Sequence, residues 1–450
     1  MKVNPIVFRT QSLCPVCLKK LDATVYERDG GCYLKKTCPE HGVFRSVVWK
    51  GSVPIKEWIG KKERAVIKNP LTEVKDGCPY DCGLCSEHRQ HTCTALMEVT
   101  QRCNLHCRFC FADANAGEYE EPSLEQIKAW YETVKKSAGG CNIQLSGGEP
   151  TVRDDLPQII KLGKELGFPF IQINTNGLRI AEDEEYFKAL KLAGLDSVFL
   201  QFDGTEDSIY KKLRGRELLS IKIKAIENCG KHGVGVVLVP TLVSGVNADN
   251  VGKIIDFALE HIRAVRGVHF QPVSYFGRIP QAPRDEDRIT LPQLMDELER
   301  QTNGRIKAAN LKPAKCENPL CSFHGSFLYD PKNRELTQIA AKISCKCVTQ
   351  KAEEGAKKTK EYVSQNWTGR ESEAARESTG ADAGWDRILQ SIRSNSFSIS
   401  AMAFQDAWNV DLERVKDCCI HVVNPRGKLI PFCIYNITNT EGVSLYRNRK

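Results

Sequence analysis

The sequence predicts an α/β fold, a partial (β/α)6 TIM-like barrel with an N-terminal metal-binding ribbon and a Cys-rich C-terminal auxiliary domain, and three observations point there. Apolar runs of strand length at 96–100, 142–145, 170–174, 197–202, 235–242 and 267–272 alternate with amphipathic helical windows at 124–137, 156–166, 184–193, 218–232 and 251–260. Such alternation calls for a parallel sheet with right-handed crossovers, and six units close only part of a barrel. Most of the 20 cysteines fall in groups, and past Pro280 the alternation stops. The divisions that follow are a ribbon at 1–68, an auxiliary cluster segment at 69–95, the barrel at 96–290, and a C-terminal auxiliary cluster domain with a flexible insert at 291–450.

In the first block, Cys14 and Cys17 form one knuckle, a hairpin-like stretch covers 23–36, and Cys38 with His41 forms a second knuckle. Three thiolates and one imidazole make a closed tetrahedral site for zinc or a single iron. Cys32 in place of His41 would make it all-thiolate and rubredoxin-like. A module this small needs its metal to hold a core, so its expected role is structural. Next, Cys78, Cys82 and Cys85 stand at C-x3-C-x2-C spacing and Cys93 adds a fourth thiolate, which suits an auxiliary 4Fe-4S centre; zinc is the alternative.

The loop after the first barrel strand repeats that spacing at Cys103, Cys107 and Cys110, here without a fourth cysteine. Three thiolates hold three corners of a 4Fe-4S cube and leave one iron open. Clusters that only carry electrons are normally closed by four cysteines, so a small molecule is expected to complete this one. S-adenosylmethionine (SAM) fits, because its amino and carboxylate groups chelate iron and an electron from the cluster splits its sulfonium bond to give a deoxyadenosyl radical. Zinc with His106 as fourth ligand is the competing reading, but His106 would have to share the same tight loop.

The segment resembles the radical SAM superfamily, down to Phe109, the aromatic residue before the third cysteine. The resemblance implies that Phe109 packs on the adenine. After the second strand comes Ser146-Gly147-Gly148-Glu149-Pro150, where glycines let backbone approach a ligand and Glu149 supplies a carboxylate. In the family this motif binds the amino group of the methionine moiety. Parallel barrels gather chemistry at the carboxyl ends of their strands. Thr175 and Asn176 end the third strand and Gln201 ends the fourth, so position and resemblance assign them to the cofactor or substrate pocket, with strand-end turn roles the alternative.

Beyond the barrel, 353–377 lacks apolar periodicity and reads as a solvated helix or flexible connection, and Cys345 and Cys347 have no assignment. Cys316, Cys321, Cys419 and Cys433 offer four thiolates for a second auxiliary cluster, with Cys418 an alternative to Cys419 and a buried cysteine pair the plain reading. Such hairpin cysteines also resemble SPASM-type auxiliary domains.

Taken in order, ribbon, Cys-rich segment, triad, Gly-Gly-Glu-Pro barrel and Cys-Cys-Ile-His tail resemble the class D radical SAM methyltransferases and tetraether lipid synthase-like proteins. The resemblance implies attack on an unactivated C–H bond, followed by methyl transfer or carbon–carbon joining on a pterin-like or lipid substrate. The cofactors implied are the SAM-binding 4Fe-4S cluster, S-adenosylmethionine and one or two auxiliary 4Fe-4S clusters, with a ferredoxin or flavodoxin as electron donor. A SPASM-type peptide-modifying enzyme and a non-enzymatic Fe-S or zinc-ribbon scaffold are the other readings. No Ser/His/Asp order or paired catalytic carboxylates compete, and residues 325–395 match no motif.

With 64 basic and 56 acidic residues spread along the chain, the net charge of +8 favours anionic substrates only mildly, and no basic-aromatic groove points to nucleic acid. No signal peptide or membrane-length apolar run is visible, so a cytoplasmic protein without stable membrane insertion is expected. Grouped thiols there mean metal rather than disulfides, and several Fe-S centres imply anaerobic chemistry.

Overall fold

The computed structural model describes residues 5–60, 63–117, 119–314, 316–339, 351–369 and 394–447. Cys345, Cys347 and residues 370–377 of the expected solvated stretch lie outside them.

The ribbon is a four-stranded antiparallel meander, β1 (Ile6–Leu13), β2 (Lys20–Arg28), β3 (Gly31–Cys38) and β4 (Gly42–Lys50), paired in that order. Val25, Leu34 and Trp49 are buried, and the Trp49 and Trp58 ring centroids lie 5.7 Å apart. The ribbon is also fastened to the far end of the chain. Ser12 Oγ donates to the Val410 carbonyl at 2.5 Å, and Lys36 Nζ to the Ala407 carbonyl at 2.6 Å. Burial pushes the Lys36 ammonium down to about 7.

The second sheet begins with β5 (Thr94–Thr100), β6 (Asn142–Gly147), β7 (Ile171–Thr175), β8 (Ser197–Gln201), β9 (Gly235–Val239), β10 (Thr241–Leu242) and β11 (Val265–Pro272). The expected run 235–242 divides into β9 and β10 at Pro240, which has no N–H to give to a ladder. Later strands are β12 (Lys312–Pro313), β13 (Ser322–Asp330), β14 (Glu335–Gln338), β15 (Ser396–Met402), β16 (Ile420–Val423) and β17 (Leu429–Pro431). Strands β5 to β9 and β11 lie side by side in chain order and run parallel. This parallel run is extended at one edge by β15 beside β11 and at the other by β16 beside β5, both parallel. Antiparallel β13, itself flanked by β12 and β14, and antiparallel β17 then continue the sheet outward on the two sides, so among the described residues the barrel stays open.

The crossover helices cover the outside with apolar faces. Tyr131, Ile159 and Phe187 are fully buried, which is why those windows read as amphipathic. The stretch expected to be a solvated helix contains the helix Ala352–Trp367, but it is not solvated all round: Ala352 and Ala356 are buried, and Tyr362 Oη lies 2.8 Å from Ser326 Oγ. It lies at the amino-terminal end of the barrel and borders the barrel's interior cavity.

Candidate active site

The cysteine loop leaves β5 and is held from several sides. Cys103 N–H donates to Asn115 Oδ1 at 2.9 Å, and Asn115 Nδ2 returns a bond to the Cys103 carbonyl at 2.9 Å. Cys110 and Arg278 exchange backbone bonds of 2.9 and 3.1 Å, while Arg278 Nε donates to the Cys107 carbonyl at 2.9 Å. Arg214 forms a fork with Asp203, both bonds 2.7 Å, and interacts with the Cys107 sulfur. Burial pushes the Cys103 thiol up to about 12 and raises that of Cys110. Thiols in so apolar a place become thiolates when a metal takes them, because a coordinating cation displaces the proton outright.

His106 is exposed. Ligands of one zinc stand about 3.8 Å apart, given Zn–S bonds of roughly 2.3 Å. Among the described residues, the groups of three or more metal-ligating atoms lying within 4.8 Å of one another do not include the triad. The donor set is therefore three sulfurs spread more widely than around one ion, and it fits a cube with one open corner.

Gly147 and Gly148 meet this loop by close backbone approach. A Cβ on Gly147 would stand 2.0 Å from the Thr100 carbonyl oxygen, and one on Gly148 2.3 Å from that of Arg102. Gly148 N–H donates to the Thr100 carbonyl and Glu149 N–H to that of Arg102, both at 2.8 Å. Glu149 is buried and largely occupied. Its Oε1 accepts from Thr151 N at 3.1 Å, Thr151 Oγ1 at 2.6 Å and Thr175 Oγ1 at 2.6 Å, and its Oε2 from Asn176 N at 2.7 Å. Asn176 Nδ2 then reaches Asn104 Oδ1 at 2.7 Å. The carboxylate thus ties the ends of β6 and β7 to the cysteine loop.

One cavity of about 460 Å³ unites these parts. Cys103, Cys107, Cys110, Phe109, Gly147, Gly148, Glu149, Thr175, Asn176 and Gln201 all line it. Phe109 packs edge-on to Tyr275 at 6.3 Å, while Gln201 is held by Asp203 at 2.9 Å and Lys222 at 3.3 Å. The cavity continues through the barrel to Cys93, Glu317 and Cys419 at its other end. Arg214, Lys222 and Arg278 carry no motif, and only their buried charge, visible once folded, marks them.

The auxiliary cysteines are redistributed relative to the expected fours. Cys93, expected with Cys78, Cys82 and Cys85, instead lies with Cys316 and Cys419, their three sulfurs within 4.8 Å of one another. Cys93 and Cys316 are joined as a disulfide whose Cα atoms are 7.6 Å apart, wider than the roughly 4.4–6.8 Å usual for that bond. With Cys419 buried beside them, the three suit metal ligands better. Cys78, Cys82 and Cys85 share a small cavity with His88. Cys321 and Cys433, expected with Cys316 and Cys419, keep company with Cys418 around Arg414, whose Nη2 lies 3.4 Å from Cys321 Sγ. The choice between Cys418 and Cys419 thus dissolves, since each faces a different group.

In the ribbon, Cys14, Cys17, Cys38 and His41 converge. His41 Nδ1 lies 3.6 Å from Cys14 Sγ and 3.4 Å from Cys38 Sγ, and the Cys17 and Cys38 sulfurs are 4.0 Å apart. Desolvation opposes ionisation of Cys38, but hydrogen bonds from His41 and from the Glu40 and His41 backbone bring its thiol down to about 6. Cys32 sits in the core instead, its thiol pushed up to about 11 by burial, so the all-thiolate alternative does not form.

Comparison with known proteins places this geometry. Residues 97–258 match the model of the radical SAM superfamily, and residues 6–50 that of the HMPTM N-terminal zinc ribbon domain. A 7,8-dihydro-6-hydroxymethylpterin dimethyltransferase from Methanocaldococcus jannaschii is 40% identical across 97% of this chain and 94% of its own length. An Fe-coproporphyrin III synthase from Methanosarcina barkeri is 36% identical over 41% of this chain and 44% of its own. Among solved structures, Streptococcus suis SuiB aligns at 16% identity and a TM-score of 0.40 over 48% of this chain and 47% of that one. In the described residues no helix is long and apolar enough to cross a membrane. The chain is thus an enzyme that belongs to the radical SAM superfamily, which implies a 4Fe-4S cluster and S-adenosylmethionine, in the family of the archaeal dihydropterin dimethyltransferase that it matches over nearly its whole length.

Proposed function

We propose that this enzyme methylates a dihydropterin of the 6-hydroxymethyl type at an unactivated C–H bond. The observation that carries this reading is the similarity to the Methanocaldococcus protein, which extends through the ribbon and the Cys-rich tail as well as the barrel. When bound, the cluster and S-adenosylmethionine supply a radical that takes hydrogen from carbon lacking any acidic proton, chemistry that side chains alone do not offer. The chain's own part is placement. Cys103, Cys107 and Cys110 would hold the cluster, Phe109 and the Gly147–Gly148 turn would border the nucleotide, and Glu149 with Thr175 and Asn176 would fix the distance between the two loops.

The remaining metal groups complete the reading. Cys14, Cys17, Cys38 and His41 bind zinc as a structural staple. Cys78, Cys82 and Cys85, and Cys93, Cys316 and Cys419, would hold auxiliary clusters, which would supply a path for electrons from an external one-electron donor of the ferredoxin or flavodoxin kind. Thiols in this number stay reduced in an oxygen-poor cytoplasm. Lipid coupling and peptide modification gain no support from the relatives.

The test is an anaerobic incubation of reconstituted enzyme with reductant, S-adenosylmethionine, a one-carbon donor and deuterated 7,8-dihydro-6-hydroxymethylpterin. Deuterium entering deoxyadenosine, together with a methylated pterin, is the expected result. Deoxyadenosine free of label, with no new pterin product, refutes the substrate.

A further inference from the structure

The barrel interior carries polar side chains where such interiors usually have none. Inward positions of parallel barrels carry mostly Val, Ile and Leu in packed layers. Here six carboxamides, Asn142, Gln144, Gln172, Asn174, Gln201 and Gln271, border the cavity from β6, β7, β8 and β11. Two of them are committed to the protein: Asn174 Nδ2 donates to Ser146 Oγ at 3.2 Å, and Gln201 is held by Asp203 and Lys222.

Gln172 is different. It is only 3% exposed, yet its Nε2 has no hydrogen-bond partner among the described residues. Leaving a buried donor unmet costs about 1–3 kcal/mol, so a native core rarely keeps one without a purpose. Gln144 stands directly opposite it in the β6–β7 register and borders the same cavity. Gln144 precedes Gly147 by three residues, so it lies about 10 Å down the strand from the cysteine loop. Bordering the same cavity, the Phe199 and Trp367 rings stack at 5.6 Å and 29°. His269, bonded to Ser400 at 2.8 Å, is kept neutral by burial.

We propose that Gln144 and Gln172 form a subsite for the hydrogen-bonding edge of a neutral bicyclic heterocycle, with Gln172 Nε2 donating to a ring carbonyl or ring nitrogen and Phe199 and Trp367 walling the ring. Carboxamides present donors and acceptors without charge, which matches the alternating edge of a pyrimidinone and selects against ionic ligands. The assignment rests on the pterin reading above and adds the residues that would recognise the ring, lying well below the cofactor loops.

The experiment titrates 7,8-dihydro-6-hydroxymethylpterin into anaerobic, cluster-loaded protein and follows its fluorescence, for wild type, Gln172→Glu, Gln172→Leu and Gln144→Leu. Gln172→Glu keeps the shape and removes the donor, so it decides the matter even if the leucine variants fold poorly. The expected result is at least a tenfold weaker pterin Kd for each variant, with S-adenosylmethionine binding and substrate-free deoxyadenosine formation unchanged. If wild type binds the pterin and the Gln172 variants bind it equally well, the subsite assignment is wrong while the substrate stands. If wild type does not bind the pterin at all, the substrate reading falls and this subsite falls with it.

Discussion

Gly147 and Thr100 touch through backbone alone: the space for a single Cβ on Gly147 is already taken by the Thr100 carbonyl oxygen, 2.0 Å away. Gly147 also has φ +120°, which L side chains seldom adopt. Gly147→Ala should therefore separate the two loops and cut deoxyadenosine formation at least a hundredfold. Ribbon metal content, by elemental analysis, should stay at the wild-type level.

Asp203 and Arg214 form a buried fork whose guanidinium also interacts with Cys107. Removing one member of a buried pair leaves an uncompensated charge, at a cost of about 3–5 kcal/mol. Arg214→Met should lower the anaerobic urea midpoint accordingly. Arg214→Lys, which keeps the charge but loses the planar fork, should fall between the two.

The ribbon holds its four ligands on one small site, with Cys32 elsewhere. His41→Ala should lower the metal content of purified protein by one ion per chain and leave the iron of the triad unchanged. Cys32→Ser should keep that ion, and its loss in Cys32→Ser would contradict the ligand set.

Burial holds His269 neutral down to about pH 4, against 6.5 for a free imidazole. Between these values the unfolded chain binds the extra proton, so stability is fully present above about pH 6.5 and is lost as pH falls toward 4. The loss from this one group is about 3 kcal/mol. Urea unfolding from pH 4 to 7 should show a shallower acid slope for His269→Asn than for wild type.

The parallel run and the cysteine loop were legible because their signals are local: β-branched runs between amphipathic windows, and C-x3-C-x2-C spacing. The ten cofactor-side residues chosen at strand ends all border one cavity for the same topological reason. The auxiliary groups were not legible, since Cys93, Cys316 and Cys419 are brought together by the β5–β16 pairing and not by spacing. Strand β15 was hidden too. Its Ser398 and Ser400 border the cavity, so its pattern does not resemble a buried strand. The role of Glu149 was obscured for a further reason, because its four donors come from residues up to 27 positions away.

The most direct measurement is the electron paramagnetic resonance spectrum of the dithionite-reduced, oxygen-free protein with and without S-adenosylmethionine, recorded on a variant whose auxiliary cysteines are replaced so that the triad is observed alone. A 4Fe-4S signal whose g-values move when S-adenosylmethionine is added, and which disappears in Cys107→Ala, is the expected result. A spectrum indifferent to S-adenosylmethionine, or a signal that survives Cys107→Ala, would contradict an open iron at this loop.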